Sequence, residues 1–199
     1  MALGLLKRNI KHPIYYILNA HTIEACLKED LVMDSKPNPP SPPSIFARGA
    51  LYVLIQALLL VLLFFGPSSL SGEKIWTGSI SHWLFWLGWI LFTTSIIFSG
   101  VAAFQLGSNL TPLPGPKPGA KFVRRGLYRL VRHPIYFGVI MLSFAWFLIT
   151  QGELTLAYVG LIFIFFDIKS RKEEQWLVTT FPEYSDYQKH VRKLLPLIY

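Results

Sequence analysis

His133 and Tyr136 flank Pro134, and Lys169, Glu173 and Glu174 follow further along the chain. At i and i+3 on a helix, His133 and Tyr136 share a face. Pro134 suits the first helical turn, where no backbone donor is lost. Such a helix start offers unpaired N–H groups and the positive end of the helix dipole. Both suit a carboxylate, such as that of an amino-acid-like cofactor. Lys169 and Glu173 share a face at i and i+4, as do Ser170 and Glu174. Two adjacent carboxylates beyond an apolar stretch could hold an ammonium or sulfonium group. Each half also has a plain reading. Arg132, His133 and Tyr136 could anchor a helix at an interface by snorkelling, and Glu173 and Glu174 could be the ion-paired surface of a solvated helix. Asp167 lies at the apolar end of its stretch, where a charge is costly and often functional.

Other chemistries lack their signatures. Gly107, Gly115, Gly119 and Gly126 alternate with prolines, but neither a phosphate-binding loop nor G-x-G-x-x-G is present, so a nucleotide triphosphate site is unsupported. Neither G-x-S-x-G nor H-E-x-x-H occurs. The histidines are His12, His21, His82, His133 and His190, and Cys26 is the single cysteine. No intramolecular disulfide can form, and no metal site is expected.

The elements that must position these residues follow from composition. The chain has 199 residues, 52% hydrophobic and 15% charged, with a mean hydropathy of +0.42. Soluble domains carry about 25% charged residues, and disorder needs low hydrophobicity. The apolar residues fall in blocks, which indicates a membrane protein. The net charge of +8 comes from basic residues flanking those blocks, which favours a membrane surface over nucleic acid.

The expected architecture is all-α and multi-pass, with about four transmembrane helices. The spans are Gly49–Phe65, about His82–Phe104, Ile135–Thr150 and Leu154–Ile168. Trp83, Trp86 and Trp89 suit a membrane interface. Gln151-Gly152-Glu153 leaves almost no linker, so the last two spans form a tight helical hairpin. Residues 1–48 read as an N-terminal extension. They hold an amphipathic segment (Ile14, Ile17, Leu18, Ile23, Leu27) that could lie on a surface, then a proline-rich linker from Lys36 to Pro43. No secretory signal peptide is expected there. Residues 8–15 echo residues 129–136 at five of eight positions, too short for a repeat architecture.

Six Lys and Arg precede the first span, one lies in the first loop, six in the second and six in the tail, while the third loop has none. The positive-inside rule then places both termini and the second loop in the cytoplasm. The hairpin brings His133 and Tyr136 at one helix start to Lys169, Glu173 and Glu174 at the other helix end. A convergent polar site at the cytoplasmic face is therefore expected.

The spacing itself resembles a known family. Val123-x-x-Gly126-x-Tyr128-x-x-Val131-Arg132-His133-Pro134-x-Tyr136-x-Gly138 precedes the hairpin. Glu173-Glu174-x-x-Leu177 then leads to Phe181-x-Glu183-Tyr184-x-x-Tyr187. This pattern resembles the isoprenylcysteine carboxyl methyltransferase and phospholipid methyltransferase family of integral membrane enzymes, over roughly residues 105–196. The resemblance implies that residues 49–199 form a membrane-embedded methyltransferase domain that binds S-adenosylmethionine at the cytoplasmic end of the hairpin. By position, Lys121, Phe122 and Val123 would line the cofactor from the loop, and Tyr128 would lie against it. His133, Pro134, Ile135 and Tyr136 would wrap it at the helix start, and Glu173 would meet its amino group with Glu174 beside it.

The acceptor would be a lipophilic or amphipathic molecule, isoprenylcysteine carboxylate-like or phospholipid amine-like, entering from the bilayer. Where carboxyl methyltransferases place an acceptor-orienting arginine, this chain has Lys169, with Arg171 nearby. Lys169 or Arg171 would aim a carboxylate, and Glu174 could help an amine lose its proton. Two other classes compete: a nicotinamide-dependent membrane reductase of related architecture, and a non-enzymatic membrane adaptor with a basic face on anionic lipid.

Overall fold

The computed structural model describes residues 49–113, 119–196, 198 and 199. The amphipathic segment and proline-rich linker expected in residues 1–48 lie outside them. The elements are α1 (Ala50–Phe65), α2 (Gly78–Leu106), α3 (Pro134–Thr150), α4 (Glu153–Thr180) and α5 (Tyr184–His190), with 3₁₀ turns at Gly107–Asn109 and Gly126–Arg129. No strand occurs among the described residues, only an isolated parallel bridge between Val131 and Arg192.

The four long helices run alternately up and down. Tyr158 of α4 donates its hydroxyl to the Pro67 carbonyl at the end of α1, while Lys169 of α4 bonds Gln56 of α1. Those two helices are therefore antiparallel. Ser81 near the start of α2 bonds Gln151 at the end of α3, and Gln105 near the end of α2 bonds Leu127 just before α3. This arrangement gathers residues 107–113, 119–133, 181–196, 198 and 199 at one end of the bundle. The short connections after α1 and α3 lie at the other.

The hairpin turn has a specific construction. Gln151 takes a left-handed conformation (φ 60°), uncommon for a residue with a β-carbon. It is held by Ser81, which donates to its side-chain oxygen at 2.6 Å and accepts from its side-chain nitrogen through the backbone at 2.7 Å. Gly152 follows where a β-carbon would stand 2.0 Å from the Ser68 carbonyl. That carbonyl accepts the N–H groups of Leu154 and Thr155 and so caps α4.

The core joins Leu63, Ile140, Tyr158, Ile162, Phe165, Phe166 and Leu194. The outer faces are apolar too: Leu54, Leu58, Trp83, Ile90, Ile97 and Phe104 are all exposed. Exposed apolar surface on this scale marks contact with a hydrocarbon phase or a partner. Among the described residues, Gly78–Asn109 is long and apolar enough to cross a membrane, and Ala50–Phe65 and Pro134–Thr150 are shorter apolar helices. Two expected boundaries shift. The second apolar helix begins at Gly78 rather than near His82. The last does not stop at Ile168 but continues for three turns to Thr180. The extension carries Lys169, Glu173 and Glu174 past the apolar stretch on the same continuous helix.

Candidate functional site

Helix geometry sorts the polar residues of α4 onto two faces. Phe166, Lys169, Glu173 and Leu177 recur at three- and four-residue intervals and line a cavity of about 360 Å³. The opposite wall is the start of α3: His133, Pro134, Ile135, Tyr136 and Val139. The loop before α3 closes a third side with Lys121, Phe122, Val123 and Tyr128, and α5 contributes Tyr184. Every residue expected to touch a cofactor thus lines one space.

Backbone geometry at the start of α3 leaves donors free. His133 is the N-cap, with no side-chain cap bond, and Pro134 occupies the first turn. The Phe137 N–H bonds the His133 carbonyl, so Ile135 and Tyr136 carry the N–H groups without an intrahelical acceptor. The Tyr136 hydroxyl donates to Glu173 Oε2 at 2.8 Å, and His133 Nδ1 lies 3.6 Å from the same oxygen. The His133 and Tyr136 rings stack in parallel, with centroids 5.2 Å apart. Phe122 packs against Phe181, Tyr184 and Tyr187 at 5.3–5.8 Å. Burial, with the nearby Glu173 charge, pushes the Tyr128 hydroxyl well above its ordinary range, so it stays protonated.

Lys169 is 1% exposed. Its ammonium donates to Gln56 Oε1 at 2.6 Å and to the Pro112 carbonyl at 3.3 Å. It sits 5.1 Å from the Tyr136 ring centre and 5.8 Å from that of Phe166. Burial lowers its proton affinity, and the Glu173 carboxylate partly restores it. An ammonium has three protons to donate, and the two protein acceptors leave one for a ligand.

Glu174 and Arg171 do not line this cavity. One helical step turns Glu174 about 100° away from Glu173. Its carboxylate instead receives Arg132 Nε at 2.7 Å and Arg132 Nη2 at 3.2 Å. His133 Nε2 is 3.0 Å away, and Gln188 and Tyr184 complete the shell at 3.0 and 3.4 Å. Burial alone would raise this carboxyl, but the hydrogen bonds from His133 and Arg132 prevail and hold it down at about 2. Arg171 points to the same far side, bonding Asp167 Oδ2 at 2.9 Å and the Tyr199 hydroxyl at 3.1 Å.

The structure adds residues that sequence reasoning missed. Gln56 is the one amide side chain in α1, an isolated polar residue in an apolar helix, and that is the signal that could have found it. Asn109 bonds both the N–H and the carbonyl of Lys121 at 2.9 Å, closing the loop on itself. Gln105 accepts from the Leu127 N–H. It presses so close to Gly126 (φ 61°) that a β-carbon there would stand 2.3 Å from its Oε1.

Known proteins give the arrangement a context. The phospholipid methyltransferase family matches residues 83–184. A methanethiol S-methyltransferase from Pseudomonas deceptionensis is 34% identical over 158 residues, covering 74% of this chain and 58% of the relative. The methanethiol S-methyltransferase of Mycobacterium tuberculosis is 31% identical, covering 78% and 65%. A protein-S-isoprenylcysteine O-methyltransferase from Dictyostelium discoideum is 31% identical over 120 residues, covering 58% and 51%. The chain therefore spans between half and two thirds of the length of these relatives. In fold it is similar to the eukaryotic intramembrane Ras methyltransferase, isoprenylcysteine carboxyl methyltransferase. That match has a TM-score of 0.55 and 22% identity, over 89% of this chain and 64% of the other.

Proposed function

The chain belongs to the phospholipid methyltransferase family, and from that premise we propose that it transfers a methyl group from S-adenosylmethionine to a lipophilic thiol or carboxylate. The observation that carries this reading is the cavity in which the Glu173–Tyr136 pair meets the start of α3. The residues present fit such a cofactor. The free N–H groups of Ile135 and Tyr136 suit its carboxylate, and Glu173 suits its ammonium. The aromatic wall of Tyr136, Tyr128 and Phe122 suits a sulfonium through cation–π attraction. Bound there, S-adenosylmethionine supplies a methyl group already activated for displacement.

The chain's own residues then have three tasks. Glu173, His133 and Tyr136 hold the donor. The Phe122–Phe181–Tyr184 cluster excludes water. Lys169 aims its third proton at the acceptor and stabilises the thiolate or carboxylate oxygen as it approaches. An amine acceptor would arrive as an ammonium and meet the Lys169 charge, which disfavours it. The acceptor's lone pair would form the new bond to carbon as the donor's sulfonium–carbon bond breaks and S-adenosylhomocysteine leaves, and a thiol's proton would go to water, since the Lys169 ammonium is already fully protonated. Relatives named for S- and O-methylation accord with such acceptors. Glu174 acts from outside the cavity, orienting His133. Arg171 faces Asp167 and Tyr199 and takes no part in this reading.

The same proposal places the protein in a membrane, with four spans and the site at the cytoplasmic face. Support comes from the up-and-down order of α1 to α4 and from the basic residues gathered at the end that holds the cavity. The test is thermal stability of the detergent-purified protein with S-adenosylhomocysteine, NADPH or buffer. A ligand binding only the folded state stabilises it by about 2.7 kcal/mol at a hundredfold excess over Kd. A rise with S-adenosylhomocysteine alone is expected. A rise with NADPH alone, or with neither ligand in folded protein, would overturn the proposal.

A further inference from the structure

Behind the cavity, on the face of α4 that carries Glu174 and Arg171, lies a second recess of about 460 Å³. No residue lines both spaces. The recess is cationic: Arg132, Arg171, Lys189, Arg192 and Lys193 surround it, against one acidic side chain, Glu174. Glu174 is saturated by Arg132, His133, Gln188 and Tyr184. Asp167 is taken up by Lys193, Arg171 and Tyr199. Asp186 stands in solvent, 3.6 Å from Lys189 and 4.0 Å from His190. With both aspartates included, positive charge remains in excess. The Arg192 guanidinium is exposed and has no partner among the described residues.

An apolar track leads into this recess. Leu161, Ile164 and Ile168 are 49, 55 and 52% exposed. Their three- and four-residue spacing puts them on one face of α4. Arg171 follows Ile168 by three residues, about 4.5 Å further along the axis, and its side chain is 64% exposed. Ile198, also exposed, lines the recess beside it. The change from hydrocarbon-facing to cationic surface thus occurs within one helical turn. A membrane's acyl chains give way to headgroup phosphates over a comparable step.

We propose that this recess is a binding site for one anionic phospholipid, its phosphate held by Arg192, Lys189 and Arg171 and an acyl chain lying along Leu161, Ile164 and Ile168. A free phosphate would use only the cationic half, so the track is what points to a lipid. Because no residue is shared with the cavity, this lipid is a resident of the fold rather than a methyl acceptor. The site stands whether or not the methyl-transfer reading does.

The experiment uses the full chain in detergent, titrated with phosphatidylglycerol, phosphatidylcholine or inorganic phosphate. Thermal midpoint and bound lipid, by native mass spectrometry, are read together. Phosphatidylglycerol is expected to raise the midpoint and leave one molecule bound, while phosphatidylcholine and phosphate leave both readouts at baseline. In Lys189→Gln/Arg192→Gln, which touches neither the cavity nor the core, the apparent phosphatidylglycerol affinity falls roughly tenfold. An Ile164→Ser/Ile168→Ser variant weakens it as well. Equal effects of phosphatidylcholine, an equal effect of inorganic phosphate, or unchanged affinity in the charge variant would each overturn the site.

Discussion

Lys169 Nζ and Gln56 Oε1 lie 2.6 Å apart, although 113 residues separate them in the chain. The contact crosses from α4 to α1 and fixes a buried cation on the wall of the cavity. It gives α1, otherwise an apolar helix, a stake in the site.

Replacing Gln56 by leucine would remove one of the two acceptors of a buried ammonium. A lost partner of this kind costs about 1–3 kcal/mol. We expect a lower thermal midpoint and a raised KM for the acceptor, with S-adenosylhomocysteine affinity retained. An unchanged acceptor KM would separate Lys169 from acceptor binding.

Glu173→Gln keeps the shape of the side chain and removes its charge. It is expected to abolish the thermal response to S-adenosylhomocysteine while the apo protein melts normally. Tyr136→Phe, which deletes only the hydroxyl bond to Glu173, should weaken binding by roughly tenfold. Full affinity in both variants would dissociate the pair from the cofactor.

Glu174 supplies a prediction about pH. Its carboxyl falls from an ordinary 4.5 to about 2 in the fold. A group with a depressed value contributes stability that is complete above its unfolded value and drains away as pH falls through the folded one. The thermal midpoint should therefore drop between about pH 4.5 and 2, and less steeply in Glu174→Gln. Glu174→Ala leaves Arg132 and His133 facing an empty space and should cost about 3–5 kcal/mol at neutral pH.

Gly138 of α3 packs directly against Ser99 of α2. A β-carbon there would lie 2.0 Å from Ser99 Oγ and 3.2 Å from Ser99 Cβ. Gly138→Ala should destabilise by about 1–3 kcal/mol, and the double variant with Ser99→Ala should recover part of that loss. A purely additive double-mutant cycle would show that the crowding lies elsewhere.

The proposed topology is tested with single cysteines in a Cys26→Ser background. Ser71→Cys, in the loop after α1, should react with a membrane-impermeant reagent added outside the cell. Glu183→Cys should react only after permeabilisation. The reverse pattern would invert the protein in the membrane.

Much of this molecule is legible in its residues. Apolar block lengths mark the helices to within a few positions, except at the end of α4, which runs on through polar residues to Thr180, because hydrophobic burial and backbone satisfaction both act on local composition. The break at Gln151-Gly152 announces the hairpin, and a hairpin obliges His133 and Tyr136 to meet Glu173. Helical periodicity then puts Lys169 and Glu173 on one face without knowledge of any neighbour. The tertiary structure alone decided the rest. That Glu174 turns to Arg132 and Gln188, and Arg171 to Asp167 and Tyr199, depends on where the chain after α4 returns. Its register is held by the backbone bonds of Arg132 and His133 to Arg192 and Lys193. That Gln56 serves the site depends on which face of α1 meets α4. An apolar helix carries little rotational information in its sequence, since nearly every face can be buried or bathed in lipid. Close packing selects one face, and that selection brings the lone amide to the lysine.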